Sequence, residues 1–257
     1  MKGRPSHVVG LAVVAVGLFP ACGSGAIDAV GLAPGGLSQG LVAHWTFDEG
    51  ADSVVHDLSG NSHDGNINGS NWSWLAQGRF GAALHFEQGD YVAVDSFPNA
   101  TEGWTVSAWV QIASKDVGMG DATVISTEDV FQGGWEMNLN AQPTNLQYDF
   151  GYWTGPGQFD YRAYYECKNC IHPDHWQHVA AVVDGAVGTL AFYLDGMFQA
   201  RVQVPQAILP GVSTLYMGRW ATTDPARLLA GSIDDIAIWS RALVSEEIGL
   251  VAQSPVK

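Results

Sequence analysis

Positive charge is what this sequence has least of. Its 257 residues include 11 Lys+Arg against 26 Asp+Glu, a formal net charge of −15. Proteins that hold nucleic acid or anionic lipid replace counterions with Lys and Arg, so this balance argues against both partners. Charge of either sign is sparse: 14% of residues are charged, where a globular domain averages about 25%. With 47% hydrophobic residues, that excludes disorder, which needs the opposite composition. The longest mostly apolar run, Val8 to Phe19, is shorter than the roughly 20 residues a membrane-spanning helix requires. The catalytic string H-E-x-x-H is missing, as is a phosphate loop.

What the chain does have is glycine and aromatics: 31 Gly, 10 Trp, 8 Tyr and 10 Phe. Many turn residues and rings with few helix-favouring charges indicate a β-protein. The length suits one large domain or two small ones, enough for a sizeable core.

Lys2 and Arg4 precede the short apolar run, which ends at Pro20-Ala21-Cys22. A basic start, a short apolar core and a small residue before the cut describe a secretory signal over residues 1–21. The cysteine after Ala21 resembles a bacterial lipobox, in which that cysteine is acylated. Phe19 and Pro20 stand where the pattern has Leu and a small residue. The expectation is an exported lipoprotein anchored through Cys22, its only link to a membrane; the alternative is a secreted chain cut near Ala26. Residues 22–40 are rich in Gly, Ala, Ser and Pro and read as a flexible tether of roughly 25 Å.

From Leu41 onward, short alternating runs are separated by turn residues. In Trp104–Ile112, the positions Trp104, Val106, Ala108, Val110 and Ile112 are apolar. Between them stand Thr105, Ser107, Trp109 and Gln111, which predicts a strand with one buried face. Asp195-Gly196 between two alternating runs is a type I′ hairpin signal. Only Ser245–Ala252 reads as a helix, with Glu246 and Glu247 well placed in its first turn. One domain, 41–253, is expected, with a tail at 254–257.

Taken in order, several segments resemble the laminin-G-like, concanavalin A-like jelly rolls. They are Leu41-Val-Ala-His-Trp45-Thr-Phe47-Asp48-Glu49-Gly50, Asp57-Leu-Ser59-Gly60-Asn61-Ser-His63-Asp64-Gly65 and Gly78-Arg-Phe80-Gly81-Ala-Ala-Leu84-His-Phe86. After Trp104-Thr-Val-Ser-Ala-Trp109 come Trp176-Gln-His178-Val179-Ala180, Phe192-Tyr193-Leu-Asp195-Gly196 and Gly231-Ser-Ile233-Asp234-Asp235-Ile236. The resemblance implies an all-β, antiparallel two-sheet jelly-roll sandwich with one short C-terminal helix. Val244 departs from the pattern, because the family usually has Ser or Thr capping that helix. The fold hosts lectins, carbohydrate-binding modules, adhesion domains and glycan-cleaving enzymes, so function must come from a site.

Three candidate sites follow. Asp57, Ser59, Asn61 and Asp64 form an oxygen-rich loop, and antiparallel pairing of the first and last strands would bring Asp48 near Asp234 or Asp235. Calcium needs six to eight oxygens, and the resemblance implies a structural Ca2+ at these corners, held by Asp48, Asp57, Asn61 and Asp234. The competing reading is that Asp57 and Asn61 bind their own loop backbone. Cys167 and Cys170, with His172, His175 and His178 nearby, suit a short disulfide in an exported chain or a zinc set. An aromatic-rich stretch offers Tyr152, Trp153 and Tyr161 as a sugar- or protein-binding platform, joined by Trp72 and Trp220. Against it stands the rule that rings dominate sandwich cores.

The E-x-D-x-x-E string that glycan hydrolases of this fold carry on one strand is absent. The expected function is a non-catalytic surface module binding a glycan or a surface protein. The alternatives are a polysaccharide-active enzyme on the same fold and a purely structural envelope or adhesion protein.

Overall fold

Alternation of apolar and polar residues over most of the chain gives sixteen strands, and one α-helix and two short 3-10 turns accompany them among the residues described. The computed structural model describes residues 36–87, 89–100, 102–117, 121–128, 133–142, 145–152, 162–164, 170–204, 211–221 and 227–256. The strands are β1 (Leu41–Trp45), β2 (Val54–Val55), β3 (Gly65–Asn68), β4 (Ser73–Leu75), β5 (Ala83–Phe86), β6 (Tyr91–Val94), β7 (Gly103–Ile112) and β8 (Asp121–Ser126). They continue as β9 (Trp135–Gln142), β10 (Asn145–Tyr152), β11 (Arg162–Tyr164), β12 (Gln177–Asp184), β13 (Thr189–Leu194), β14 (Met197–Gln203), β15 (Leu215–Met217) and β16 (Gly231–Trp239). The helix α1 is Ser245–Val251.

Two antiparallel sheets result. The first runs β14-β13-β12-β7-β16-β5-β4, with β1 also paired to β16; the second runs β11-β10-β9-β8-β15-β6-β3-β2. The expected closure of first strand on last is present, with Trp45 opposite Ile236. The Asp195-Gly196 hairpin is present too: Asp195 has φ 50 and Gly196 φ 76, the two positive values a type I′ turn demands, and Leu194 pairs with Met197.

Between the sheets lies the main core. Trp104, Val106, Ala108, Val110 and Ile112 of β7 enter it as the alternation predicts. The opposite face of β7 is buried as well, contrary to the one-faced expectation: Thr105 and Ser107 are solvent-free and Trp109 nearly so. Part of the cause is a second layer, in which Leu243, Ile248 and Val251 around α1 pack on Ala180, Val182, Tyr193, Ala237 and Trp239. At Trp109 the cover is the loop before β5, whose Phe80 meets the indole edge-on and whose Arg79 lies over it at 4.3 Å.

Although Val244 offers no side-chain cap, the helix start is held. A carboxylate oxygen of buried Glu247 accepts the Val244 N–H at 3.0 Å. Both Glu247 oxygens also accept Arg241, at 2.7 and 2.6 Å. Burial alone would raise that carboxyl; the Arg241 and Val244 donors hold it below the usual carboxylate range. Arg241 further donates to the carbonyls of Gln39 and Gly36, and the Trp239 indole N–H to that of Leu37. Residues 36–40, read from composition as the end of the tether, are therefore seated on the folded domain.

Candidate functional site

At the acidic corner, antiparallel pairing of β1 with β16 delivers what topology requires. A register shift in β16 between Asp234 and Ala237, with Asp235 at φ 46, adds a residue to the strand. Asp234 and Asp235 are both buried there. Asp235 Oδ1 lies 2.5 Å from His44 Nε2. Asp234 Oδ2 accepts the backbone N–H groups of Arg79 and Phe80, at 2.6 and 2.8 Å. Asp48 Oδ1 accepts the Ala82 N–H at 2.7 Å. These two aspartates thus strap the loop 78–82. A Cβ on Gly81, whose φ is +75, would collide with Asp48 Oδ1. Burial raises the Asp234 carboxyl to about 7 against the pull of its two N–H donors, and the Asp235 and Asp48 charges raise it further.

Asp57 and Asn61 serve a different purpose. Asp57 Oδ1 accepts the His44 and Ser59 N–H groups, and Oδ2 accepts the Ser59 hydroxyl and the His63 N–H. Burial alone would raise Asp57, but these donors hold it below its ordinary range. The Asn61 amide donates to the Leu41 and Val42 carbonyls. The four residues expected to share a cation therefore do not form one donor set. Asp57 and Asn61 brace their own loop, while Asp48 stands with Asp234. Among the described residues, no three His, Cys, Asp or Glu side chains form a metal-holding group. At this corner Asp234 Oδ1 and Asp235 Oδ2 are buried without a partner, as is Glu49 Oε2.

In the Cys–His segment, Cys167 lies outside the described residues. Cys170 packs against the core, His172 and His175 are exposed, and His178 is buried on β12. His178 Nε2 is 2.8 Å from Ser107 Oγ, and its ring lies 5.5 Å from that of Trp109. Burial, together with the Arg79 charge, lowers His178 to about 3, so the ring stays neutral.

The aromatic platform is largely overturned where it is described. Tyr152 is 3% exposed and, with Tyr148 and Phe150, faces the inter-sheet core. Alternation decides this: on β10 the rings at 148, 150 and 152 take one face, leaving Gln147 and Asp149 on the other. Trp72 packs against the core, edge-on to Trp74. Trp153 and Tyr161 lie outside the described residues. Trp220 is the member of this set that reaches a polar site.

That site is the outer face of the second sheet. On β9, Trp135, Met137 and Leu139 point into the core, so Glu136 and Asn138 point out. On β8, Thr123 and Ser126 lie opposite Asn138 and Glu136, and Asp149 of β10 lies opposite Asn138. All of these side chains are at least nine-tenths buried, as is Gln147. Arg227 Nη1 donates to both Glu136 oxygens, at 3.3 and 3.1 Å, and its guanidinium lies 4.4 Å over the Trp220 ring. Asn138 Nδ2 donates to Asp149 Oδ1 at 3.1 Å. Thr123 Oγ1, Asn138 Oδ1 and Gln147 Oε1 have no partner. Beside β8, Tyr216 of β15 lies opposite Ser126. There Arg219 covers the half-buried rings of Tyr91 and Tyr216, at 4.6 and 5.1 Å.

Sequence reasoning missed this face, though the signal was present. W-E-M-N-L-N and L-Q-Y-D-F-G-Y alternate rings and aliphatics with acids and amides, interrupted at Gly151. Their polar halves drew less notice than their rings.

A two-sheet jelly roll with a polar, part-aromatic sheet face defines a lectin-like sandwich. The chain belongs to the concanavalin A-like lectin/glucanases superfamily, whose Laminin_G_3 family model matches residues 86–249. No curated protein matches the sequence. Among solved structures, it resembles domain 4 of a GH43 extracellular arabinanase from Geobacillus stearothermophilus in complex with arabinotriose. That match has 21% identity and TM-score 0.60, covering 83% of this chain and 98% of that one. It also resembles the botulinum neurotoxin serotype D ligand-binding domain in complex with N-acetylneuraminic acid, at 16% identity and TM-score 0.61, covering 84% and 51%. A third is the botulinum neurotoxin DC binding domain in complex with rat synaptotagmin II, at 14% identity and TM-score 0.62, covering 84% and 52%. The chain spans about half the length of these neurotoxin chains. At these identities, the likeness concerns the fold.

Proposed function

We propose that the protein is a non-catalytic, exported binding module that takes a glycan on the outer face of its second sheet. One observation carries this reading: Thr123, Asn138 and Gln147 each leave a buried polar atom without a partner on one contiguous face. A buried polar group without a partner costs about 1–3 kcal/mol, and such groups in native proteins are normally satisfied by protein, ordered water or ligand. Neighbouring half-buried Tyr91 and Tyr216 supply ring surface, and Glu136 and Asp149 supply oriented carboxylates. Solved structures of the same fold hold glycans or a protein, and the orphaned polar atoms with oriented carboxylates favour the glycan. As engaged here, with Glu136 on Arg227 and Asp149 on Asn138, the carboxylates suit holding hydroxyls better than delivering a proton.

Anchoring through acylated Cys22 places such a module at the cell envelope. A calcium ion at the acidic corner would draw on Asp48, Asp234 and Asp235 and neutralise the buried oxygens of Asp234 and Asp235. A Cys167–Cys170 disulfide would shape the segment before β12.

Retention on a panel of immobilised polysaccharides, read together with product release, tests the central reading. Retention without cleavage is expected; cleavage of any retained glycan overturns the non-catalytic assignment, and retention of none overturns glycan binding. Thermal melts with calcium and with chelator test the ion, and a midpoint that does not rise with calcium rejects it.

A further inference from the structure

We infer that the outer face of the second sheet selects glycans that present hydrogen-bond donors, namely chains of neutral or amino sugars, and rejects acidic glycans such as polyuronates and sialosides. The inference rests on the binding reading above and goes beyond it by naming the ligand class. It follows from which atoms are left over. Asn138 gives its amide nitrogen to the Asp149 carboxylate, and a carboxylate accepts only from a donor, so the atom left without a partner is the carbonyl Oδ1. The unpartnered Gln147 atom, Oε1, is also a carbonyl oxygen. Neither can donate. Thr123 Oγ1, opposite Asn138, can do either. Glu136 and Asp149 add carboxylates to the same face.

The cations nearby are already engaged. Arg227 spends its Nη1 on both Glu136 oxygens and stacks on Trp220. Arg219 lies over Tyr91 and Tyr216 and donates its Nε–H to the Trp220 carbonyl. A sugar carboxylate brought to the Asn138–Gln147 end would face two carbonyl oxygens and the like charge of the Asp149 carboxylate. Hydroxyl groups or an ammonium satisfy the same atoms. Tyr216 and Gln147 sit on strands separated by β8 and β9, three inter-strand spacings or about 14 Å. The ligand is therefore an oligosaccharide lying across the strands, with a ring on the half-buried tyrosine platform and hydroxyls at the acceptor end.

The test uses the full chain against four immobilised probes: arabinan, chitosan, polygalacturonate and a sialylated glycoprotein. Wild type is expected to be retained on arabinan or chitosan at least tenfold more strongly than on either acidic probe. The variant Thr123→Val/Gln147→Met is expected to lose at least tenfold of that retention without a lower melting temperature, because it removes orphaned polar atoms. Equal or stronger retention on an acidic probe overturns the ligand class while leaving glycan binding intact. Failure to bind all four overturns this inference, and failure across the wider panel overturns the parent reading. Undiminished retention by the variant overturns the location.

Discussion

Two buried groups lie in one row across the first sheet, with opposite responses to acid. His178 is opposite Trp109, and Trp109 is opposite Asp234. His178 sits at about 3 in the folded protein, below its unfolded value near 6.5. Its stability contribution is therefore complete above about pH 6.5 and is lost as pH falls, because the unfolded chain takes the proton first. Asp234 sits at about 7 when folded, above an unfolded value near 3.9. Its contribution grows as pH falls from 7 toward 4, since the folded state takes the proton first. Between pH 7 and 5, each amounts to about 2 kcal/mol at 1.4 kcal/mol per pH unit, with opposite signs. Their sum is close to zero. Urea unfolding at pH 7, 6 and 5, in chelator so that no cation competes for Asp234, should give wild type a nearly level profile. Asp234→Asn removes the acid gain and should lose about 2 kcal/mol between pH 7 and 5; His178→Gln removes the acid loss and should gain a similar amount. The slope is the readout, so any constant cost of substitution drops out. Parallel profiles for all three proteins would refute the burial argument for both groups.

Arg241 gives a second prediction. Arg241→Met should cost about 3–5 kcal/mol in urea unfolding by leaving buried Glu247 unpaired, and Arg241→Met/Glu247→Met should recover most of it; equal loss in both would show that packing, not charge, holds the helix. Gly81→Ala should unstrap the loop 78–82, because its Cβ meets Asp48 Oδ1 and its φ is +75; a melting temperature unchanged within error would contradict the role given to Asp48. Cys22→Ala should release the protein from the membrane fraction, and unchanged retention would refute the lipid anchor.

Much of the sandwich was legible because it follows from local rules. Alternation in 104–112, the Asp195-Gly196 turn and the apolar first and last strands each point to one geometry. The acidic corner was half legible. Closure of the sheet brings Asp48 toward Asp234, but spacing says nothing about how many N–H groups a loop aims at Asp57. The saturation of that carboxylate depends on His44, thirteen residues away. The sheet-face site was read from the wrong side. Rings in β10 suggest ligand stacking when taken singly, yet the period of two commits Tyr148, Phe150 and Tyr152 to the core and leaves Gln147 and Asp149 on the outer face. Burial of both faces of β7 was not legible either, since it depends on where α1 and the Arg79–Phe80 loop return.

The account turns on the unpartnered atoms of Thr123 and Gln147 being ligand contacts. Their most direct test is to measure glycan affinity and melting temperature together for wild type and Thr123→Val/Gln147→Met, using whichever panel glycan is best retained. Affinity lost by at least tenfold with the melting temperature held or raised is the predicted result. Full affinity in the variant, or a melting temperature that falls in step with affinity, would contradict it.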